Sequence, residues 1–429
     1  MKKVLLLGAG LVSRPLARYL LEKGFALTVA DQSLAAAERL VQGQPHGRAL
    51  AWSADDVAGL RTMLQDADLA VSLLPAALHP VVARECVARK IPRVTASYVS
   101  PAMRALDAPA RAAGALLLNE IGVDPGIDHM SALRIIDRVK KDGGQVVSMR
   151  SYCGGLPAAE ANTNPWGYKF SWSPKGVLAA GKNPARYLRD GRQVDVPGPD
   201  LFADTHTLEV PGLGPLEAYP NRDSMGYVDL YGLRGARTVF RGTLRYPGWC
   251  AVMKVLYNTR LFEETPQDLR GLSFRDFAAR LGVAPEGEAR RRLEWLGLFS
   301  DEPLPLERGA ALDVMVARMV EKMSYSPGER DMLVMHHEFV VEYPARGKAE
   351  KLTSTLLDFG VPNGDSSMAR TVGLPAAMAA RLVLEGRITG AGVRIPTDPA
   401  VYEPILSELE RMPDGIRFQE RAVAVSLDP

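Results

Sequence analysis

The first 120 residues alternate short apolar runs with helix-like segments, and this pattern constrains the fold more than any other feature of the chain. A parallel sheet produces such a rhythm, because each strand is followed by a helix that crosses over to the next strand. Helices are predicted in the gaps, as at Asp56 to Leu64 and Pro80 to Arg89. The predicted fold class is therefore α/β, with a doubly wound parallel sheet of the Rossmann type. Its predicted strands are Val4 to Leu7, Ala26 to Ala30, Ala49 to Trp52, Leu69 to Leu74, Arg93 to Ala96 and Ala115 to Leu118.

A glycine loop follows the first predicted strand. Gly8-Ala9-Gly10 stands between that strand and a helix, as a dinucleotide fingerprint requires. Gly8 would permit the tight turn, and Gly10 would let backbone amides approach a pyrophosphate at the helix N-terminus. The third fingerprint position holds Ser13 instead of glycine, which weakens the motif taken alone. The loop residues predicted to bind the cofactor are Gly8, Ala9, Gly10, Leu11 and Val12.

An acidic residue closes the second predicted strand. Asp31 stands 21 positions after Gly10, where a carboxylate can accept hydrogen bonds from the adenosine ribose hydroxyls. A phosphate on that ribose would be repelled, and Gln32 supplies no positive charge to offset the repulsion. We therefore expect NAD as the cofactor, with NADP disfavoured, and we assign Asp31 and Gln32 to its site. A strand–helix turn with an incidental capping acid is the alternative interpretation.

Further candidate cofactor residues lie at the ends of the fourth and fifth predicted strands. Leu74 ends the fourth strand, and Thr95, Ser97 and Tyr98 lie at the end of the fifth. Ligands of doubly wound sheets bind at the carboxyl edge of the strands. We therefore assign Leu74, Thr95 and Ser97 to the cofactor site. Ordinary capping of a strand end would produce the same residue types.

The sequence pattern changes at Asp142-Gly143-Gly144, after a helix predicted to begin near Asp128. From Gln145 to about Leu244 it shows β-type alternation with hairpin signals such as Asp190-Gly191, and from about Trp249 to Met335 it is helical in period. Strand character returns before a final helical stretch. The predicted organisation is a Rossmann domain of residues 1–125 completed by about 365–429, a mixed-sheet substrate and dimerisation domain of α+β type at 126–248 and 336–364, and a helical insertion at 249–335.

Composition and residue spacing argue against several classes of function. Lys plus Arg number 52 against 50 Asp plus Glu, with no long run of either sign, so nucleic acid is not an expected partner. No apolar stretch approaches the roughly 20 residues that span a bilayer. The three cysteines, Cys86, Cys153 and Cys250, form no CxxC pair, and the histidines have no metal-ligand spacing. We expect a cytoplasmic protein with neither a metal nor a disulfide framework.

Two blocks of unusual composition carry a family signature. The segment from Ser151 to Gly181 combines Cys153-Gly154-Gly155 with four closely spaced aromatic residues, and the block LNEIGVDPGIDHM runs from Leu118 to Met130. Together with the glycine loop GAGLVSRP, these blocks closely resemble the glutamate-forming saccharopine dehydrogenases, also called saccharopine reductases, of the aminoadipate route of lysine metabolism. The resemblance covers nearly the whole chain.

The resemblance implies a reaction. Saccharopine is a secondary amine that joins a lysine skeleton to glutamate and carries three carboxylates, so its site must supply cations. Hydride removal from the lysine-side carbon gives an imine, whose hydrolysis releases glutamate and aminoadipate semialdehyde. The resemblance also implies a homodimer. It leaves open both the direction in which the cell runs the reaction and the group that accepts the amine proton.

The resemblance also assigns residues. Asp124, before the Pro-Gly pair, maps to the aspartate that contacts the substrate's amino group, and it is the residue predicted to be catalytic. Arg222 and Arg245 are the predicted carboxylate clamps, because a guanidinium fork matches a carboxylate. The roles of two lysines remain open: Lys169 and Lys175 could contact a phosphate or a carboxylate, but solvated lysines would look the same in the sequence. The predicted substrate-binding residues are Ser97, Tyr98, Asp124, Cys153, Arg222, Thr243 and Arg245.

Two alternatives stand beside this interpretation. A carboxyspermidine-type dehydrogenase shares the architecture, but its polyamine substrate favours a carboxylate-rich pocket, and the paired arginines speak against it. A non-catalytic NAD(H)-binding sensor would keep the segment from Gly8 to Asp31 while its substrate blocks decayed. Those blocks stand intact in this sequence.

Overall fold

The computed structural model describes residues 1–425, and every element below lies in that range. The chain forms two compact units. The first unit comprises Met1–Arg138 and Asp365–Arg417, and the second comprises Val139–Gly364 together with the segment from Phe418 onward.

In chain order the strands are β1 (Lys3–Leu7), β2 (Ala26–Asp31), β3 (Gly47–Ala51), β4 (Leu69–Ser72), β5 (Arg93–Val94), β6 (Leu116–Leu118), β7 (Gln145–Pro157), β8 (Ala185–Arg189), β9 (Arg192–Val196), β10 (His206–Val210), β11 (Gly214–Pro220), β12 (Thr238–Arg245), β13 (Gln267–Asp268), β14 (Arg308–Gly309), β15 (Asp331–Tyr343), β16 (Lys348–Phe359), β17 (Gly392–Arg394) and β18 (Phe418–Val425). The helices are α1 (Ser13–Glu22), α2 (Leu34–Val41), α3 (Val57–Gln65), α4 (His79–Arg89), α5 (Pro101–Arg104), α6 (Asp107–Ala113), α7 (Ile127–Lys141), α8 (Pro174–Ala180), α9 (Gly226–Leu230), α10 (Trp249–Tyr257), α11 (Phe274–Arg280), α12 (Gly287–Trp295), α13 (Ala311–Met323), α14 (Ser367–Leu384) and α15 (Pro399–Arg411).

The first unit is built on a parallel sheet. Within residues 1–425 its order is β17-β6-β5-β4-β1-β2-β3, and all its pairs are parallel. The central strands are apolar and buried, as expected for strands covered on both faces. Strand order reverses beside β1, so the loops after β1 and β4 open at the edge where such folds bind nucleotides.

Helix α14 packs closely on α1 in the first unit. A Cβ at Gly373 would lie 2.7 Å from the Val12 carbonyl oxygen and 3.3 Å from the Leu16 amide nitrogen. Such distances leave no room for a side chain, so Gly373 allows the two helix backbones to approach each other. The third glycine of the dinucleotide fingerprint normally provides close packing for the helix after the loop. In this chain a glycine from the distant helix α14 permits a close contact at that helix.

The second unit is built on a mixed sheet. Its main path is β10-β11-β12-β7-β15-β16-β18, and β8 joins it by pairing with β12 and β9. The β12–β7 pair is parallel and the other pairs are antiparallel. One face of this sheet packs with helices α10 to α13 into a continuous hydrophobic core. Helices α10 to α13 thus share one core with the sheet.

The predicted fold class is confirmed: the chain combines a Rossmann-type parallel sheet with an α+β unit that carries a helical insertion. The Asp190-Gly191 turn joins β8 to β9 as its composition predicts. Strands β13, β14, β17 and β18 were missed, and the first two are only two residues long. Strand β17 is only three residues long, and β18 pairs with β16 at the edge of the mixed sheet with mostly exposed side chains. Neither has the buried apolar run by which strands are recognised in a sequence.

Candidate active site

The glycine loop follows β1 at the switch point of the parallel sheet. Gly8 has a φ of +103°, and a Cβ there would lie 3.1 Å from the Leu73 carbonyl oxygen, so both conformation and space require glycine. A Cβ at Gly10 would meet nothing within 4 Å. The first turn of α1 contains no acidic residue. The loop therefore leaves open space at an uncrowded helix N-terminus, which fits a pyrophosphate.

Ser13 occupies the third fingerprint position and is buried. Its hydroxyl donates a hydrogen bond of 2.9 Å to the Gly8 carbonyl oxygen. The serine therefore closes the loop on itself through its side chain. The departure from the glycine pattern thus leaves the turn intact.

Asp31 at the end of β2 is fully engaged with the backbone. Its Oδ2 accepts a hydrogen bond of 2.8 Å from the Ala9 amide, and its Oδ1 accepts one of 2.8 Å from the Ser33 amide. Gln32 is exposed beside it, and Ser33 caps α2, whose first turn contains no acidic residue. Asp31 thus ties the glycine loop to the turn that begins α2.

The polar residues after β4 and β5 form a connected network. The Thr95 hydroxyl donates a hydrogen bond of 2.7 Å to the Ser72 carbonyl oxygen. The ring of His79, at the start of α4, lies between two serines, with Nδ1 at 2.9 Å from Ser72 Oγ and Nε2 at 2.8 Å from Ser97 Oγ. Ser97 is half-buried, while His79 is only 2% exposed. The predicted site residues Thr95 and Ser97 are therefore anchored to a histidine that sequence reasoning missed.

Tyr98 and Asp124 meet in the first unit. The Tyr98 hydroxyl donates a hydrogen bond of 2.6 Å to Asp124 Oδ1. Both residues are half-buried, and Asp124 lies in the turn before α7. This short hydrogen bond from the phenol fixes the orientation of the carboxylate. The pair is suited to receive an amine or an ammonium group.

The turn around Asp124 is held by its neighbours. Asp128 Oδ1 accepts a hydrogen bond from the Gly126 amide, so this residue serves the helix start. Glu120 accepts one hydrogen bond of 2.9 Å from the Val99 amide and lies 2.7 Å from His129 Nε2. These contacts support the backbone on both sides of Tyr98 and Asp124.

In the second unit, three predicted substrate residues share one face of the mixed sheet. Thr243 of β12 lies opposite Cys153 of β7, and Arg245 follows Thr243 by two positions on the same strand. Side chains alternate between the faces of a strand, so positions two apart point the same way. Arg245 and Cys153 are buried, and Thr243 is half-buried. The strand register therefore assembles a hydroxyl, a thiol and a guanidinium.

Arg245 lies in an aromatic cage. Its guanidinium carbon is 5.0 Å from the ring centre of Tyr168, 5.8 Å from that of Tyr219 and 5.6 Å from that of Trp249. Its Nη1 donates a hydrogen bond of 2.7 Å to the Leu244 carbonyl oxygen, while its Nε has no hydrogen-bond partner among residues 1–425. A buried cation with a donor to spare is suited to a carboxylate.

Arg222 differs from Arg245. It follows β11, is exposed, and has a φ of 56°, in the left-handed region. Its carbonyl oxygen accepts a hydrogen bond from the Arg186 amide. The two predicted clamps therefore lie in different environments, one solvated and one desolvated.

The two lysines left open by the sequence bind carboxylates of this chain. Lys169 is buried, and its Nζ lies 2.6 Å from both oxygens of Glu329. Lys175 is exposed and lies 2.8 Å from Asp313. Three aromatic residues of the same block, Trp166, Tyr168 and Phe170, belong to the hydrophobic core.

Across residues 1–425, no three side chains of His, Cys, Asp or Glu are grouped in a way that could hold a metal ion. None of the helices in the same range combines the length and apolar character needed to cross a bilayer.

Two family models match the chain. The saccharopine dehydrogenase NADP binding domain matches residues 4–118, and the saccharopine dehydrogenase C-terminal domain matches residues 122–416. The chain belongs to the saccharopine dehydrogenase family. The two alternatives drawn from the sequence, a carboxyspermidine-type dehydrogenase and a non-catalytic sensor, receive no support from these matches.

Individual relatives are similar to this chain over nearly its full length. The enzyme named saccharopine dehydrogenase [NADP(+), L-glutamate-forming] from Schizosaccharomyces pombe is 38% identical, with 99% of each chain covered. The enzyme of the same name from Saccharomyces cerevisiae is 40% identical, with 99% of this chain and 100% of the relative covered. A solved structure of apo saccharopine dehydrogenase (L-Glu forming) from Saccharomyces cerevisiae superposes with a TM-score of 0.85, at 39% identity and with 99% of this chain and 100% of that chain covered.

The prediction of NAD is wrong. The matching N-terminal family model is an NADP-binding domain, and both fungal relatives are named as NADP(+) enzymes. The prediction treated Asp31 as an acceptor free for ribose hydroxyls and repulsive to a phosphate. In the structure both of its oxygens accept backbone N–H groups, which stabilise and partly offset its charge. The role of Asp31 is therefore to hold the glycine loop in place. Its presence does not indicate whether the ribose of the cofactor carries a phosphate.

Proposed function

We propose that this saccharopine dehydrogenase catalyses the NADP-dependent interconversion of saccharopine with glutamate and aminoadipate semialdehyde, in lysine metabolism. The observation that carries the proposal is the full-length similarity to glutamate-forming enzymes at about 40% identity. The glycine loop, the Tyr98–Asp124 pair and the caged Arg245 support it, since each suits one part of the chemistry.

The residues of the first unit fit a dinucleotide. Gly8 and Gly10 leave the start of α1 open to a pyrophosphate, and Asp31 holds this loop in place. Past Asp31, the first turn of α2 offers no further carboxylate to repel a ribose phosphate, and Gln32 and Ser33 are exposed there. The cofactor, when bound, accepts or returns the hydride of the lysine-side carbon.

The chain's own residues bind and orient the substrate. Asp124, fixed by the Tyr98 hydroxyl, supplies the negative charge that holds the substrate's amino group. Arg245 binds a carboxylate in a site where aromatic rings exclude water. Loss of one proton from the ammonium form leaves a neutral secondary amine, whose lone pair forms the C=N bond of a protonated imine as the hydride departs. Water then adds to the imine carbon, and cleavage of its bond to nitrogen releases glutamate.

A steady-state comparison of cofactors tests the proposal. Purified protein should oxidise saccharopine with NADP at a higher kcat/KM than with NAD, and Asp124→Asn should lower kcat/KM for saccharopine by about 100-fold, because the substrate's charged amino group would lose its carboxylate partner. The protein should also run as a homodimer in light scattering, which we propose on the resemblance alone. A higher kcat/KM with NAD would refute the cofactor assignment, and wild-type activity in Asp124→Asn would refute the role of Asp124.

A further inference from the structure

His79 is a buried titratable residue that the proposed reaction does not use. It begins α4 and contacts the side chains of Ser72, Thr95 and Ser97 at the carboxyl edge of the parallel sheet. Ser72 and Thr95 are at most 1% exposed, whereas Ser97 is half-buried. The network therefore runs from the interior of the sheet to a single hydroxyl at the edge where ligands bind.

The His79 ring is neutral at physiological pH. Its burial, together with the nearby charge of Arg93, lowers the pKa of His79 to about 3. A neutral imidazole has one N–H donor and one acceptor nitrogen. The position of its single proton therefore decides which neighbours receive a hydrogen bond and which must give one.

Thr95 identifies the protonated nitrogen. Its only proton is used in the 2.7 Å hydrogen bond to the Ser72 carbonyl oxygen, so Thr95 Oγ1 can only accept from the ring. His79 Nε2 lies 3.4 Å from Thr95 Oγ1 and 2.8 Å from Ser97 Oγ. A proton on Nε2 satisfies both contacts. The unprotonated Nδ1 then accepts the hydroxyl proton of Ser72, 2.9 Å away.

This arrangement determines the hydrogen-bonding character of Ser97. Since Ser97 Oγ accepts from His79 Nε2, its own proton remains available for another acceptor. We infer that His79 is a positioning residue that orients the Ser97 hydroxyl as a donor toward an oxygen acceptor of the bound ligands. That acceptor is a carboxamide oxygen of the cofactor or a carboxylate oxygen of the substrate, so the inference rests on the proposed function. The opposite tautomer would turn Ser97 into an acceptor and weaken the same contact.

Nuclear magnetic resonance tests the tautomer without any turnover. The full-length protein, labelled with ¹⁵N-histidine, should show a His79 ring with a protonated Nε2 and an unprotonated Nδ1, assigned by its absence from His79→Gln. A protonated Nδ1, or a charged ring at neutral pH, would overturn the inference. This result stands even if the protein fails to oxidise saccharopine, an outcome that would refute the proposed function separately.

Two substitutions then separate positioning from mere structural support. In His79→Gln the amide nitrogen reaches about the place of Nε2 and can still donate to Ser97, whereas in His79→Asn the shorter side chain keeps only the Ser72 contact. We expect kcat/KM to stay within about threefold for glutamine and to fall about tenfold for asparagine, the worth of one hydrogen bond. Equal losses of kcat/KM in the two variants, measured where their melting temperatures are the same, would contradict the inference.

A double-mutant cycle tests whether His79 affects activity through Ser97. If His79 acts through Ser97, adding His79→Asn to Ser97→Ala should cause little further loss, because the oriented hydroxyl is already gone. Independent losses that multiply would show that His79 acts elsewhere. Measured NADPH affinity and the KM for saccharopine distinguish the two sources of the acceptor: a loss confined to the former indicates the cofactor, and one confined to the latter indicates the substrate.

Discussion

The two units present their candidate site residues in different ways. In the parallel sheet of the first unit, the polar side chains follow strand ends, as Thr95 and Ser97 follow β5 and Asp31 ends β2. In the mixed sheet of the second unit they project from one face of the sheet, where Thr243 and Arg245 of β12 lie beside Cys153 of β7, although Arg245 is the last residue of its strand. Strand ends depend on the local chain, but a sheet face depends on which strands pair and in which register.

This difference predicts how substitutions should act. Polar side chains at strand ends border loops, so their substitution should mainly affect ligand binding, whereas a glycine held at positive φ in such a loop should also affect stability. Residues on the buried sheet face are desolvated, so their charges depend strongly on the partners they find. The variants below test that contrast between the units.

The largest effect is expected at Arg245 in the second unit. Arg245→Lys keeps the charge but loses the planar fork inside the aromatic cage. Losing such a buried partner typically costs about 2 to 5 kcal/mol, so kcat/KM for saccharopine should fall by about 30-fold or more. NADPH affinity should stay nearly unchanged. Arg292→Lys is the matched control, since Arg292 is also buried but already paired with Glu288, and its kcat/KM should resemble that of the wild type.

Substitutions at the two glycines of the loop should differ in their effects, with Gly8→Ala changing stability and Gly10→Ala changing cofactor binding. Gly8→Ala forces a side chain into a φ of +103° and toward the Leu73 carbonyl, so it should lower the free energy of unfolding by about 1 to 3 kcal/mol. Gly10→Ala meets nothing within 4 Å and should leave that free energy nearly unchanged. It should instead weaken NADPH binding by about tenfold, because a methyl group would occupy the space for the pyrophosphate. Equal effects of the two variants on stability would contradict this account.

Arg222 is expected to contribute less than Arg245 because it is exposed. Arg222→Lys should lower kcat/KM for saccharopine by about tenfold, equivalent to about 1.4 kcal/mol. Kinetics measured side by side with Arg245→Lys give the comparison. If Arg222→Lys has the larger effect, exposure in the free protein does not rank the two arginines.

Cys153 should give the smallest effect. The proposed reaction forms no covalent intermediate with the enzyme, so a thiol nucleophile is not needed. Cys153→Ser should keep kcat within about threefold, with the change attributable to burial of a hydroxyl. Complete loss of activity in a variant with an unchanged melting temperature would show that the thiol takes part in the chemistry.

Much of the fold follows from local sequence patterns. The alternating runs of the first 120 residues correspond to β1 through β6, and the Asp190-Gly191 signal marks a real hairpin. Strands β17 and β18 were not predicted because their stability comes from the strands beside them: β17 pairs with β6, and β18 pairs with β16. Such pairing joins segments far apart in the chain, and it leaves little trace in local composition.

The same distinction applies to the candidate site: some of its residues are recognisable from local sequence, and others are brought there only by contacts between distant segments. Gly8, Asp31 and Ser97 could be predicted as site residues because loops at strand ends have recognisable residue types. His79 was missed because a lone histidine after a proline-containing turn resembles any helix start, and only the folded sheet brings it to Ser97. The cofactor was mistaken because the hydrogen bonds of Asp31 cannot be read from its position in the sequence.

Product analysis with labelled saccharopine tests the central claim most directly. Saccharopine labelled with ¹³C in its glutamate portion should yield labelled glutamate and unlabelled aminoadipate semialdehyde when incubated with the purified protein and NADP. The account predicts this result together with an equal amount of NADPH. Release of lysine and labelled 2-oxoglutarate would contradict it, since the hydride would then have left the glutamate-side carbon.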